Sequence, residues 1–418
     1  MKPLFTAADI LLPDFTAVDA EKYACIACDQ FTSEPRYWEE VKTLVGDAPS
    51  LFHIILPECY LESEDEAALT SRIARIHANM KQYEKGVFST HKDSMIYLER
   101  RDTAGKVRRG LVGKIDLEGY CYEKGSTSPV RATEGTVLSR IPPRLRVRRG
   151  APLEAPHVML LIDDPENTLF SQVEKGEKTL AYDFTLMQGG GAVKGYFLSP
   201  ALIEWVESFL LTMEKKAPLP YAVGDGNHSL ATAKAYYEEI KATLGEEKAR
   251  LHPARYALVE LVNIHDSSLE FEPIYRLLLG VEKDTLLTEL DAFCKENTEK
   301  GNQQFTLLSA QNGEVSEASY TLSAVAHSLT VGTLQIFLDK LLQRHPEASL
   351  DYIHGEDSLR ALCLEKNGLG FLFEGMEKKE LFPSVAKDGS LPRKTFSMGT
   401  SRDKRYYLEC RRIEDGAC

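Results

Sequence analysis

From Tyr221 to Ile240 the chain has to form a strand, a tight turn and a helix in immediate succession. Tyr221-Ala222-Val223 is a short apolar run, and Leu230-Ala-Thr-Ala-Lys-Ala-Tyr-Tyr-Glu-Glu-Ile240 carries a helical pattern. Between them, Gly224-Asp225-Gly226-Asn227-His228-Ser229 places two glycines, a carboxylate, an imidazole and a hydroxyl at the start of the helix. The first N–H groups of a helix have no intrahelical partner and carry the positive end of the macrodipole, so such a start suits an anion. Glycines let the backbone come close to a phosphate. The same residues also describe a capped turn in which Asp225 or Asn227 is the cap, the glycines take positive φ and His228 is half-buried. Local pattern leaves both readings open.

The balance of the whole chain removes several function classes. A net charge of −13 over 418 residues disfavours a general nucleic-acid binder, because that affinity is largely phosphate neutralisation by Lys and Arg. With 43% hydrophobic and 27% charged residues the chain reads as a globular protein of two or three domains. The eight cysteines are scattered, which fits reduced thiols rather than a disulfide framework. Met1-Lys-Pro-Leu-Phe-Thr-Ala-Ala-Asp-Ile10 lacks the apolar run of a signal peptide, and no apolar stretch is long enough to span a bilayer. These features lead to the expectation of a cytoplasmic protein with neither a nucleic-acid nor a membrane partner.

Strands and covering helices alternate irregularly along the rest, which predicts an α+β fold with a mixed sheet. Ala24-Cys25-Ile26-Ala27-Cys28-Asp29-Gln30-Phe31-Thr32-Ser33-Glu34-Pro35 is a short strand, a polar loop and a helix start with Ser33 as N-cap and Pro35 in the first turn. No second cysteine pair stands at metal-ligand spacing from Cys25-x-x-Cys28, which argues against a zinc or redox motif. Leu51-Phe-His-Ile-Ile-Leu56 reads as a buried strand stopped by Pro57, and Leu69, Ile73, Ile76, Met80 and Tyr83 form the stripe of an amphipathic helix. A hairpin is expected around Asp102-Thr-Ala-Gly105, and Gln188-Gly-Gly-Gly191 closes another, since no Lys-Ser or Lys-Thr follows it as a P-loop requires. Six arginines between 131 and 149 concentrate positive charge. Arg131 and Glu134 lie in a Gly- and Thr-rich turn suited to a site, whereas Arg148 and Arg149 read as a solvated strand edge. Asp163-Asp164-Pro165-Glu166 lacks a calcium-loop pattern and reads as a solvated turn. We expect a main domain over 1–280 and a small α/β subdomain over 281–345, with a hairpin tip at Asn312-Gly313. A C-terminal segment, 346–418, returns to the main site and ends in a strand over Arg405–Arg411. Within it, Leu391-Pro392-Arg393-Lys394-Thr395 sets a cation beside a hydroxyl, chemistry that holds a carboxylate or a phosphate.

Two of these loops carry a family resemblance. Gly224-Asp225-Gly226-Asn227-His228-Ser229 resembles the Asp-Gly-His-His-Arg box of the archaeal free-serine kinase, which is related to the ParB and sulfiredoxin nucleotide-binding fold, and Pro392-Arg393-Lys394-Thr395 resembles its Pro-Lys-Thr loop. With Cys28-Asp29-Gln30-Phe31-Thr32-Ser33, Arg131-Ala-Thr-Glu-Gly135 and Phe271-Glu-Pro-Ile274 as further markers, nearly the whole chain is similar to a bacterial family catalogued as domain of unknown function ten-fifteen.

The resemblance implies a ParB/sulfiredoxin-like core with an additional α/β subdomain. It also implies a nucleotide-dependent phosphotransferase acting on a small amino-acid-like hydroxyl compound, with ATP or ADP and Mg2+ as cofactors. Gly224, Gly226, Asn227, His228 and Ser229 would hold phosphate, Asp225 would lie near the transferred group, and Lys394 and Thr395 would hold the acceptor. Asp29 or Glu34 would serve as base; no metal ligand is singled out. Asn227 stands where the kinase box has its first His, and Ser229 where it has Arg, which removes a bidentate phosphate contact. Either Arg131 or Arg140 supplies that charge, or the site binds without transferring phosphate, as a nucleotide-sensing or partner-binding protein of the same fold.

Overall fold

The computed structural model describes residues 2–414 apart from 124, 298, 312 and 400–403, with backbone alone at 62. Two compact units make up the chain, one of residues 1–269 with 399–418 and one of residues 270–398.

The first unit is built on a ten-stranded mixed sheet. Its strands in chain order are β1 (Phe5–Thr6), β2 (Ile96–Arg101), β3 (Val107–Asp116), β4 (Tyr120–Cys121), β5 (Val130–Ala132), β6 (Met159–Ile162), β7 (Lys178–Thr185), β8 (Ala192–Leu198), β9 (Tyr221–Asp225) and β10 (Tyr256–Asn263). They lie in the order β7-β8-β2-β3-β10-β6-β9-β5-β4, with β1 against β3. The β7-β8-β2-β3-β10 half is antiparallel. β6 runs parallel to β10, and β9 runs antiparallel to β6 but parallel to β5. Side chains alternate across a strand, so Ile96, Leu98 and Val112 enter one core while Tyr97, Leu111, Leu160 and Val223 enter another. The sheet is therefore covered on both faces.

Helix α1 (Pro35–Val45) and α2 (Glu66–Gly86) belong to the first core. Leu69, Ile73, Ile76, Met80 and Tyr83 are the buried residues of α2, as their spacing predicts. After α3 (Ile141–Arg148) come α4 (Pro200–Lys216), which packs into the second core through Ile203, Val206 and Leu210, and α5 (Asn227–Leu244).

Four local expectations are corrected. Residues 51–56 form a single 3-10 turn, Leu51–His53, because the Ser50 hydroxyl accepts from the Phe52 N–H and closes it. A short apolar run is buried in either conformation, so hydrophobicity alone did not distinguish them. Glu34, not Ser33, is the residue before α1, since Pro35 takes the first helical position. Arg148 ends helix α3, whose start is set by Pro142 and Pro143, and pairs with Glu154; Arg149 pairs with Glu239. The 405–411 stretch is not one strand: Tyr406–Tyr407 pairs with Cys25–Ile26, Cys410 bridges Leu11, and Arg411–Arg412 pairs with Leu153–Glu154. Three successive partners replace the single neighbour that a continuous strand would need.

A buried charge cluster sits within the sheet of this unit. Glu260 is fully buried and accepts from Arg108 Nε at 3.3 Å and Arg405 Nη1 at 2.5 Å, while Arg405 also reaches Glu409 at 2.7 Å. Burial pushes the Glu260 carboxyl up, but the two guanidinium groups overcome it and hold the group below its ordinary range. Gly110 makes room, since a Cβ there would strike the Glu260 side chain.

The second unit is a six-stranded sheet in which all the pairs are antiparallel. β11 (Phe271–Leu279), β12 (Lys300–Gln311), β13 (Glu314–Ala324), β14 (Ser349–His354), β15 (Leu369–Leu372) and β16 (Phe396–Met398) are ordered β13-β12-β15-β11-β14, with β16 against β11. Helices α6 (Lys283–Glu296) and α7 (Thr330–Arg344) belong to the same unit. β12 and β13 form the expected hairpin; Asn312 lies outside the described residues, and Gly313 takes a φ of +81°. Fully buried Arg276 donates to Gln335 Oε1 at 2.9 Å and to the carbonyls of Lys394 at 2.9 Å and Arg393 at 3.0 Å, which pins the 391–395 loop.

Among the described residues no helix is long and apolar enough to cross a membrane. Removing one partner from a buried charge cluster leaves the others uncompensated, so Glu260→Gln is expected to lower unfolding free energy by about 3 kcal/mol in urea titration.

Candidate functional site

β9 runs to Asp225, and α5 begins at Asn227 with Gly226 between them at a φ of +75°. That backbone region disfavours any residue with a Cβ, and a Cβ at Gly226 would also lie 2.9 Å from the Cα of Val158. A Cβ at Gly224 would meet Leu161 at 2.8 Å. Both glycines are thus required by the close approach of β9 and the helix start to the β6 segment.

No side chain caps α5, so of the two readings left open by the pattern the one with Asp225 or Asn227 as the cap does not hold. The Asp225 carboxylate accepts from the Gly226 N–H at 2.9 Å and faces Lys404 at 3.3 Å. Asn227 donates to the Glu134 carbonyl at 3.0 Å and the Thr136 hydroxyl at 3.1 Å, and accepts from Tyr120 at 3.3 Å. The result is a helix of 18 residues whose positive end is left without a side-chain acceptor, with one lysine nearby.

The loop from Thr133 to Arg140 is tied to this start. The Thr133 hydroxyl donates to the Val223 carbonyl at 2.7 Å, and the Val137 N–H donates to Nε2 of His228 at 3.2 Å. Accepting there leaves that nitrogen unprotonated, so the imidazole is neutral. Burial lowers the His228 pKa to about 4, reinforced by the charges of Arg144 and Arg140 and opposed by Asp29. Arg144 donates to the Arg140 carbonyl at 2.6 Å and pairs with Glu58.

The loop at 28–30 brings a second group of side chains. Asp29 accepts from the Gln30 amide at 3.0 Å and lies 3.8 Å from Nε2 of His157. Burial pushes the Asp29 carboxyl up, but His157, the Gln30 amide and Lys404 together hold it below the usual carboxylate range. Glu58 goes the other way: burial raises its pKa, with Arg144 opposing and Asp29 adding to the rise. Nδ1 of His157 is 2.7 Å from the Tyr407 hydroxyl, which donates to Cys28 Sγ at 3.0 Å. Burial, with Asp29 and Glu58 nearby, pushes the Cys28 thiol up, and burial does the same at Cys25, so both thiols stay protonated. Among the described residues no three His, Cys, Asp or Glu side chains form a metal-binding group.

Asp29, Gly224, Asp225, Gly226, Asn227, His228, Ser229 and Arg140 are therefore gathered in the first unit, linked through Lys404, Arg144 and His157. Glu34 is exposed at the start of α1. Arg131 is turned to the carbonyls of Ser128 at 3.0 Å and Pro218 at 3.4 Å, the end of the β5–β9 pair remote from Asp225. Lys394 and Thr395 belong to the second unit, where Lys394 is exposed at a φ of +55° and the buried Thr395 hydroxyl donates to the Pro392 carbonyl at 2.7 Å. Sequence reasoning missed Glu58, Arg144, His157, Lys404 and Tyr407. His157 carried a signal, a polar residue between Pro156 and the apolar run of β6, and Arg144 carried one as a member of the arginine cluster.

The family described as "Protein of unknown function (DUF1015)" matches residues 12–341. No curated protein matches the sequence. Among solved structures, the chain is similar to a conserved hypothetical protein from Pyrococcus furiosus, at 13% identity and a TM-score of 0.35, over 74% of this chain and 96% of that one. It is similar to a free serine kinase in complex with AMP at 12% identity and a TM-score of 0.37, over 74% and 92% of the two chains. It is also similar to SbnI from Staphylococcus aureus with a C-terminal truncation, at 12% identity and a TM-score of 0.31, over 73% and 84%.

The neutral His228 makes stability depend on pH. An unfolded histidine protonates near pH 6.5, roughly its ordinary value, whereas the folded one does so only near pH 4. Between these values the unfolded state binds the extra proton, so stability falls as pH drops and stops falling, for this group, below about 4. Thermal melts followed by circular dichroism should show a smaller loss of Tm from pH 7 to pH 5 in His228→Gln than in the parent protein.

Proposed function

This chain belongs to the DUF1015 family, and we propose that its first unit binds the phosphates of a nucleotide at the start of α5 and transfers a phosphoryl group to a small amino-acid-like hydroxyl compound. The uncapped helix start beside Lys404 is the observation that carries this reading. Backbone N–H groups at the head of a helix favour a phosphate, and the Lys404 ammonium, held beside them by Asp225, is a cation within reach of it. The motif likeness to the free-serine kinase box falls on these residues, and with it goes a ParB/sulfiredoxin-like core.

Asp29 suits the role of base better than Glu34. It is half-buried and held ionised, whereas Glu34 is exposed. In the proposed step the acceptor oxygen forms its bond to the terminal phosphorus, its proton passes to Asp29, and the nucleotide, one phosphate shorter, leaves with the electrons of the broken P–O bond. Lys404 and Arg140 stand in for the arginine absent from the first turn of α5. A Mg2+ ion, where it accompanies the nucleotide, offsets phosphate charge; Asp225 is the carboxylate suited to hold it, since Mg2+ commonly takes one or two carboxylates along with substrate phosphates. Lys394 and Thr395 fall in the second unit, so the reading rests on residues of the first.

One observation favours a nucleotide-sensing protein without chemistry. The side chains of Asn227 and His228 are already engaged by the 134–137 loop. Isothermal titration calorimetry with ATP and ADP in Mg2+, followed by a transfer screen on free serine and related hydroxy acids, separates the readings. Lys404→Ala is expected to weaken nucleotide binding at least tenfold, roughly one direct charged contact. Asp29→Asn should keep binding and slow transfer at least about a hundredfold. Binding without turnover across the screen points to the sensor, and no nucleotide binding overturns both.

A further inference from the structure

A cavity of about 150 Å³ opens beside the helix start. Ser229 and Thr232 of α5 line it, as do Glu58, Arg144 and His157, so it adjoins the anion site through shared residues. Most of the remaining lining is aliphatic, including Ile55, Leu61, Met80, Val147, Leu153 and Ala233. None of the roles proposed above uses this chamber.

We propose that the chamber takes the hydrocarbon body of a second ligand of this site besides the nucleotide, an amphipathic anion: a compact apolar group of up to about six carbons joined to a phosphate or carboxylate. The anionic part of this inference rests on the reading of the helix start given above; the apolar part stands on the chamber itself. Size sets the upper limit, because an apolar cavity of roughly 150 Å³ accommodates a benzene-sized molecule. Lining chemistry sets the class. A heteroaromatic base needs donors and acceptors in alternation along its edge, and the polar side chains here are largely turned to one another. Glu58 pairs with Arg144, Arg148 with Glu154, Tyr407 with both His157 and Cys28, and the Thr232 hydroxyl donates to the His228 carbonyl. The unpartnered buried atom among them is Arg148 Nε, a donor, which suits an anion's oxygen better than a base. Aliphatic walls whose polar groups, Arg148 Nε apart, are satisfied by one another recognise a hydrocarbon by exclusion of water.

The test is calorimetric titration of the full chain with methyl, butyl and hexyl phosphate, with 1-alkanols of the same lengths, and with ATP. Affinity for the alkyl phosphates is expected to rise about fourfold per added methylene until the chamber is full. Met80→Ala enlarges the chamber and should move the optimum to a longer chain; Ala233→Met fills it and should move the optimum to a shorter one. The two variants oppose each other, so a folding defect in one, seen as a lost thermal transition, leaves the other decisive. Affinity independent of chain length in both series, while ATP still binds, overturns the chamber and leaves the nucleotide reading standing. Dependence on chain length among the alkanols with no gain from the phosphate upholds the chamber and overturns the anion site. If Ala233→Met weakens ATP as much as hexyl phosphate, the base occupies the chamber and the proposal fails.

Discussion

Everything at the candidate site depends on how closely Gly226 approaches Val158. Two backbones meet there with no Cβ between them, which brings the end of β9 and the start of α5 against the residue that follows His157. From that contact follow the position of Asp225 beside Lys404 and the exposed positive end of a long helix. The positive φ at Gly226 is part of the same constraint, because it turns the chain from strand into helix within one residue. Glycines that a motif reading assigns to phosphate approach are accounted for here by packing. The helix start is left uncapped by what the glycine lacks, a side chain with which to cap it.

Around that point, environment separates groups of the same chemical type. Asp29 and Glu58 are both carboxylates influenced by the same histidine, yet one is held ionised and the other is pushed toward its neutral form. The difference is in compensation. The Gln30 amide, His157 and Lys404 outweigh the desolvation of Asp29, whereas Arg144 does not outweigh that of Glu58. Carboxyl groups driven apart in this way can divide the roles of base and acid. His228, kept neutral, adds no charge of its own and joins the loop at Val137 to the helix start.

Elements with a strong local period were legible in the sequence. The α2 stripe, the β2–β3 hairpin and the strand–turn–helix at 221–244 all carry their pattern within a dozen residues. Where the run was short, as at 51–56, hydrophobicity could not tell a buried turn from a buried strand. The 405–411 segment failed for another reason, since its apparent continuity is divided among three partners from distant parts of the chain. Half of the candidate site was found because Asp225, His228 and Ser229 share one motif. Glu58, Arg144, His157 and Tyr407 come from four separate segments and could not be grouped by spacing.

What this sequence determined by itself is the mixed α/β character and the helix start at 226–229, both consequences of residue type and local period. Only the tertiary structure decided that this start goes uncapped, that Arg131 is turned to carbonyls remote from it, and that Lys404, His157 and Asp29 share its field. The chamber beside it belongs to the same category. The physical reason is range: propensity and capping act over a few residues, whereas burial, desolvation and ion pairing depend on which distant side chains the fold brings within a few ångströms.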